Sequence, residues 1–185
     1  MPKTILITGA SSGFGRDTAE TLRRAGHTVY ASMRGAQGKN REAAEALQTL
    51  GIETVELDVS DDASVEAGVE RVVAEAGNID VLVNNAGIGS AGVTEAFTAE
   101  QTRVVFDTNV IGLLRVTRAV LPSMRRRRDG LIINIGSILG RVTFPLLGHL
   151  RREQVRGRSA NRQPPLRSLP ARRRGRGSTA ERLPD

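Results

Sequence analysis

One turn constrains this chain more than any other feature: Thr8-Gly9-Ala10-Ser11-Ser12-Gly13-Phe14-Gly15. It joins a short β-branched run, Thr4–Thr8, to a segment of helical spacing, Phe14–Ala25, that Gly26 stops. Glycines without a Cβ allow a tight turn and close backbone approach to a pyrophosphate. The helix that follows offers free N–H groups and the positive end of its dipole. A glycine-rich turn alone would be only a turn; the preceding strand and following helix make it a dinucleotide site. Gly9, Ser11, Ser12, Gly13, Phe14 and Gly15 are therefore candidate coenzyme-binding residues.

Strand-like and helix-like segments continue to alternate. His27–Ser32 and Glu53–Leu57 read as the second and third strands, with Arg41–Leu50 a helix between them closed by Gly51. Asp61–Ala76 is helical and ends at Gly77, and Asp80–Asn84 is the fourth strand. Thr98–Arg128 reads as one long helical region interrupted by Gly112 and ending in four arginines, with Leu131–Ile135 the fifth strand. This alternation requires right-handed crossovers, so the expected fold is α/β, a Rossmann-type doubly wound parallel sheet. The strands are nearly all apolar, as burial on both faces demands. The expected strand order is 3-2-1-4-5, with strand five at an edge. After Ser137 the pattern stops, which leaves the sheet incomplete at five strands.

Composition divides the 185 residues at the same region. Residues 1–148 carry 16 Lys/Arg against 17 Asp/Glu, whereas residues 149–185 carry 11 Arg, no Lys and 3 acidic residues. Four of the seven prolines also fall in 149–185, and no aromatic residue does. The reading is a nucleotide-binding domain over 1–148 and an Arg/Pro-rich, disordered tail over 149–185. The net charge of +7 belongs to that tail and not to the domain. Zero cysteines exclude disulfides and thiolate metal sites, and two histidines leave little to bind a metal. No apolar run reaches membrane-span length and no leader is evident at the start, so the expected location is the cytoplasm.

Further motifs follow in order. Asn84-Asn85-Ala86-Gly87 follows strand four, Asp58-Val59 follows strand three, Asn109 lies within Thr108-Asn109-Val110, and Ser137 follows strand five in Gly136-Ser137-Ile138. Together with the T-G-x-x-x-G-x-G spacing of the first turn, these resemble the short-chain dehydrogenase/reductase family, through residue 148. The resemblance implies that Asp58 and Val59 lie near the adenine and that Asn85, Ala86 and Gly87 belong to the coenzyme site. It also implies that Asn109 and Ser137 are catalytic residues. The substrate class is a small-molecule carbonyl or alcohol, and relatives of full length are expected to be homo-oligomers.

Coenzyme choice is read after strand two. An NAD-preferring relative places a carboxylate there for the ribose 2′-hydroxyl, whereas this chain has Ser32-Met33-Arg34. The Arg34 guanidinium suits a 2′-phosphate, in a charge-assisted and bidentate geometry, so NADP(H) is favoured over NAD(H).

The resemblance also requires a tyrosine acid/base with a lysine four residues on, and this chain has no such pair. Its one tyrosine is Tyr30, its lysines are Lys3 and Lys39, and the positions expected for the pair hold Leu150 and Gln154. Codon degeneracy offers an explanation. Leu150-Arg151-Arg152-Glu153-Gln154 can be written CTA CGG CGC GAG CAA, and with the G of Val155 a one-base shift reads TAC GGC GCG AGC AAG, or Y-G-A-S-K. Continued to Arg167, the shifted frame permits an amphipathic helix, and Arg172–Pro184 permits a V-E-V-V-V strand. The expectation is a family member truncated by a frameshift after Gly148, an oxidoreductase by descent that lacks its acid/base pair.

Two alternatives belong to other classes: a protein binding nucleic acid or an acidic partner through the Arg tail, and a non-catalytic NADP(H)-binding regulator. Nucleic acid is disfavoured, since neither the tail nor Arg125–Arg128 is interleaved with aromatic residues for stacking. Four arginines at a helix C-terminus also suit the dipole there.

Overall fold

The computed structural model of the chain describes residues 1–90 and 92–137. In order they form β1 (Thr4–Ile7), α1 (Gly13–Arg24), β2 (Thr28–Met33), α2 (Arg41–Thr49), β3 (Glu53–Glu56), α3 (Asp62–Ala76), β4 (Val81–Asn84), α4 (Ala99–Phe106), α5 (Gly112–Arg127) and β5 (Leu131–Asn134). All strand pairs are parallel and the order is β3-β2-β1-β4-β5, as expected from the alternation. The expected disorder of the tail and the positions of Leu150 and Gln154 lie outside the described residues. Among the described residues, no helix is long and apolar enough to cross a membrane.

The period of two along each strand divides the core into two layers. Leu6, Tyr30, Val55 and Leu82 pack on one face against Val65, Val69 and Val72 of α3 and Val116, Val120 and Met124 of α5. Ile5, Ile7, Val29, Ala31, Met33 and Val83 face the other way, with Ala19 of α1 and Ala44 and Leu47 of α2. Register fixes this division, since Leu6 lies opposite both Tyr30 and Leu82. Leu82 is fully buried in the centre of the sheet. Leu82→Ala is therefore expected to cost about 3 kcal/mol through lost transfer energy and a residual cavity. Val104→Ala, at a half-exposed site on α4, should stay within about 0.5 kcal/mol. Urea midpoints at constant slope measure both.

β5 differs from the other strands. Ile132 packs on the α3/α5 layer, but Leu131, Ile133 and Ile135 are 52%, 40% and 48% exposed. They lie on the α1/α2 side, where no described element covers β5.

The long helical region departs from its expected form. The interruption is a π-helical turn at Asp107–Ile111, and Gly112 opens α5 instead of breaking a helix. Glycine is required there by proximity: a Cβ would stand 2.9 Å from Val59 Cγ2 and 3.0 Å from the Val59 carbonyl oxygen. Arg115, one turn on, binds the same segment, donating to the Val59 carbonyl (3.2 Å) and pairing with Asp107 (2.9 Å) and Asp62 (3.2 Å). Helical periodicity does not encode a π-turn, and the contacts beside this one join segments distant in sequence.

Candidate functional site

In a parallel sheet every strand ends at the same edge, so the loops after β1 to β5 converge there. The turn after β1 is held from below by hydrogen bonds. The Thr8 hydroxyl accepts from the Asn85 and Ala86 N–H groups, both at 3.0 Å. Asn85 Nδ2 donates in return to the carbonyls of Thr8 (2.9 Å) and Gly9 (3.0 Å). Ala10 N–H donates to the Ser32 carbonyl at 2.9 Å, tying the turn to the end of β2.

Two glycines make this lock possible. Gly9 has φ +66, and a Cβ there would stand 2.7 Å from Ala86 Cα. A Cβ at Gly15 would collide with Asn85 Nδ2. Gly13 and Phe14 open α1 toward solvent, with Phe14 80% exposed. Ser12 occupies the N-cap without a side-chain hydrogen bond, so no cap competes for the N–H groups of the first turn.

A cleft of about 380 Å³ opens beside the turn, lined by Gly9, Ser11 and Ser12 and also by Arg34, Lys39, Asp58 and Val59. Asp58 is well organised: Ser60 donates to its Oδ1 from both N–H (2.9 Å) and hydroxyl (2.6 Å). Burial is the largest single influence on this carboxyl and pushes it up. The Ser60 hydrogen bonds and the Arg34 and Lys39 cations outweigh burial, and hold it below the ordinary carboxylate range.

The π-turn presents Asn109 to the loop after β4. Its Oδ1 accepts from the Ile88 N–H and its Nδ2 donates to the Ile88 carbonyl, both at 2.8 Å. Gly87 lies against the same side chain, since a Cβ there would be 3.2 Å from Asn109 Oδ1. At the end of β4, Asn84 Nδ2 donates to Asn134 Oδ1 (2.8 Å) and Thr117 Oγ1 (3.1 Å), joining β4, β5 and α5. Ser137 follows β5, three residues beyond Asn134, at the same sheet edge. Tyr30 is buried within β2, and burial, then Glu75 and Glu53, raise its phenol above the usual value. That is the wrong direction for an acid/base at neutral pH.

The sequence pattern of the short chain dehydrogenases matches residues 3–149. The chain belongs to this short-chain dehydrogenase family. It is 43% identical over 147 residues to a 3-ketodihydrosphingosine reductase of Bacteroides thetaiotaomicron, covering 80% of this chain and 51% of that protein. A solved short-chain dehydrogenase from Streptomyces avermitilis superposes with a TM-score of 0.80 at 36% identity, covering 86% of this chain and 58% of the other. An alcohol dehydrogenase from the archaeon Thermococcus sibiricus, solved in complex with 5-hydroxy-NADP, gives 0.77 at 30% identity, with 86% and 68% covered. The chain thus spans about half the length of that reductase.

Within this member of the family, Gly9, Ser11, Ser12, Arg34, Asp58, Val59, Ala86 and Gly87 all line this cleft. Gly15 and Asn85 lie behind it as supports, and Asn109 reaches it through Ile88, a lining residue. Gly13, Phe14 and Ser137 are not among the lining residues. Thr8, Met33, Lys39, Asn40, Leu57, Ile88 and Thr108 were missed as site residues. Lys39 carried a signal, as one of only two lysines and five residues beyond Arg34. Thr8 carried a signal as the first residue of the turn motif, but its role as a hydrogen-bond acceptor did not show, because its partners are 77 and 78 residues away.

Proposed function

We propose that this chain is an NADP(H)-binding oxidoreductase scaffold for a carbonyl or secondary alcohol, with the coenzyme seated against the Gly9–Gly15 turn. The observation that carries the reading is a cleft lined both by that turn and by two cations, Arg34 and Lys39. The donor set fits a phosphorylated dinucleotide: uncapped N–H groups at the start of α1, glycine positions where a Cβ would collide, and guanidinium and ammonium groups for a 2′-phosphate. Support comes also from the archaeal relative, whose structure contains 5-hydroxy-NADP. The coenzyme, when bound, would supply or accept a hydride.

The chain's own residues divide the remaining work. Ser11, Ser12, Gly13, Phe14 and Gly15 present the turn to the pyrophosphate, and Asp58 and Val59 frame the adenine end. Asn85, Ala86 and Gly87 fix the turn from beneath. Asn109 positions the Ile88 backbone, and Ser137 holds the substrate oxygen. Residues 1–148 form the coenzyme-binding unit, and residues 149–185 are the product of a shifted reading frame. The acid/base pair is therefore lost, and this chain binds coenzyme without turning substrate over. Fluorescence titration should give tighter binding of NADPH than of NADH. Equal affinity, or none for either, overturns the coenzyme assignment. Sequencing the coding DNA around codon 148 tests the tail: codons for 150–154 that cannot yield Y-G-A-S-K in the shifted frame overturn the frameshift.

A further inference from the structure

The loop that carries Arg34 and Lys39 is built around one peptide unit, the one joining Arg34 to Gly35. Its N–H, on Gly35, donates to Glu56 Oε1 at 2.6 Å. Its carbonyl, on Arg34, accepts from Asn40 Nδ2 at 2.7 Å. Side chains thus hold both polar ends of this peptide. The other Glu56 oxygen, Oε2, accepts from the next N–H, on Ala36, at 2.7 Å. Gly35 has φ +62, a conformation that brings successive N–H groups into one anion-holding concavity. The Gly35 carbonyl closes the loop by accepting from the N–H groups of Gly38 (3.0 Å) and Asn40 (2.9 Å). Lys39 lies across this turn, since a Cβ on Gly35 would be 3.2 Å from its Cγ.

Glu56 comes from the neighbouring strand. It is the last residue of β3 and pairs in register with Met33, the last of β2. It lines a second cleft on the outer side of the loop with Ala36, Gln37 and Arg41, and is absent from the lining of the coenzyme cleft. By contact it can therefore influence coenzyme only through the loop, and otherwise only as a charge acting across space.

We propose that Glu56 is a positioning residue for coenzyme discrimination: its carboxylate pins the Arg34–Gly35 peptide, and so the guanidinium that meets a 2′-phosphate. This inference rests on the NADP(H) reading above. Arg34 is exposed on a short loop, and without the clamp it must be ordered at the moment of binding, at a cost in side-chain and backbone entropy.

The sign of the effect separates this role from a bystander's. A carboxylate near a phosphate site repels the ligand, so removing a bystander charge would tighten NADPH binding. Removing a clamp loosens it. Affinities for NADPH and NADH are to be measured for the wild type, Glu56→Gln and Glu56→Asp, each also in an Arg34→Ala background, with melting temperatures to verify folding. Glu56→Gln loses charge and one acceptor, whereas Glu56→Asp keeps the charge but is one methylene too short to reach both N–H groups. Both should weaken NADPH roughly tenfold and NADH less than about twofold, as expected for lost charge-assisted bonds that act through the loop carrying Arg34 and Lys39. In the Arg34→Ala background the further loss of NADPH affinity should be clearly smaller than tenfold, limited to what the loosened loop costs at Lys39. Tighter NADPH binding by Glu56→Gln, or equal losses for both coenzymes in the folded variants, overturns the clamp. Should one variant fail to fold, the other decides. A wild type that binds both coenzymes equally refutes the NADP(H) reading itself. A wild type that prefers NADPH, with a ratio unmoved by either substitution, refutes only the role of Glu56.

Discussion

Mixed with NADPH and a panel of aldehydes and ketones, this chain is expected to oxidise no coenzyme, while a version with one base removed after codon 148 turns substrate over. Carbonyl reduction needs a proton delivered to the substrate oxygen as hydride arrives, and a positioned acid contributes roughly 10²- to 10⁴-fold. Among the described residues, no tyrosine or histidine stands at the sheet edge for that task. The side chains of Ser137 and Asn109 are not acids or bases near neutrality. Tyr30 is buried inside the sheet with its phenol pushed further up. Lys39 lines the same cleft as Arg34 and Asp58, and Lys3 pairs with Asp129 at 3.6 Å. The assay is the loss of NADPH absorbance. Robust turnover by the uncorrected chain, abolished by Ser137→Ala, would mean that another group delivers the proton and would overturn the inactive reading.

Arg34→Asp is expected to weaken NADPH binding about 100-fold and to leave NADH within a few-fold. Charge-assisted hydrogen bonds contribute about 1.5–3 kcal/mol, and about 1.4 kcal/mol is a factor of ten. The substitution removes such bonds to the 2′-phosphate and adds a repelling carboxylate next to Asp58, which is already held ionised. It also supplies the carboxylate that a ribose 2′-hydroxyl prefers. Lys39 remains on the same cleft, so residual NADPH binding should fall further in the double variant with Lys39→Ala. Equal losses for both coenzymes would show Arg34 acting on folding or on the shared pyrophosphate instead. Titration at two salt concentrations adds a control, since the charged contribution to NADPH binding must shrink as salt rises.

Much of the site was legible because its parts are local. The Gly9–Gly15 turn, Arg34 and Asp58 each follow a strand that its own apolar run reveals, and strand ends in a parallel sheet must meet. Asn40 was not legible, and Lys39 showed only as a lysine near Arg34, because their place on the cleft depends on a folded-back loop held by Glu56 from another strand. The long helical region shows the same limit. Its apolar spacing located one helical region over 98–128, but not the π-turn that divides it into α4 and α5 beside Val59.

The sequence by itself determined the fold class, the parallel strand order and the first turn. These follow from the alternation of short apolar runs with helical spacings, and from glycines at a strand-to-helix junction, all properties of neighbouring residues. Only the tertiary structure decided how the turn is held. The lock between Thr8 and Asn85 joins residues 77 apart, and the Glu56 clamp reaches back about 20 residues to the loop after β2. Hydrogen bonds act over about 3 Å, so groups distant in sequence meet only once register and packing have placed their backbones.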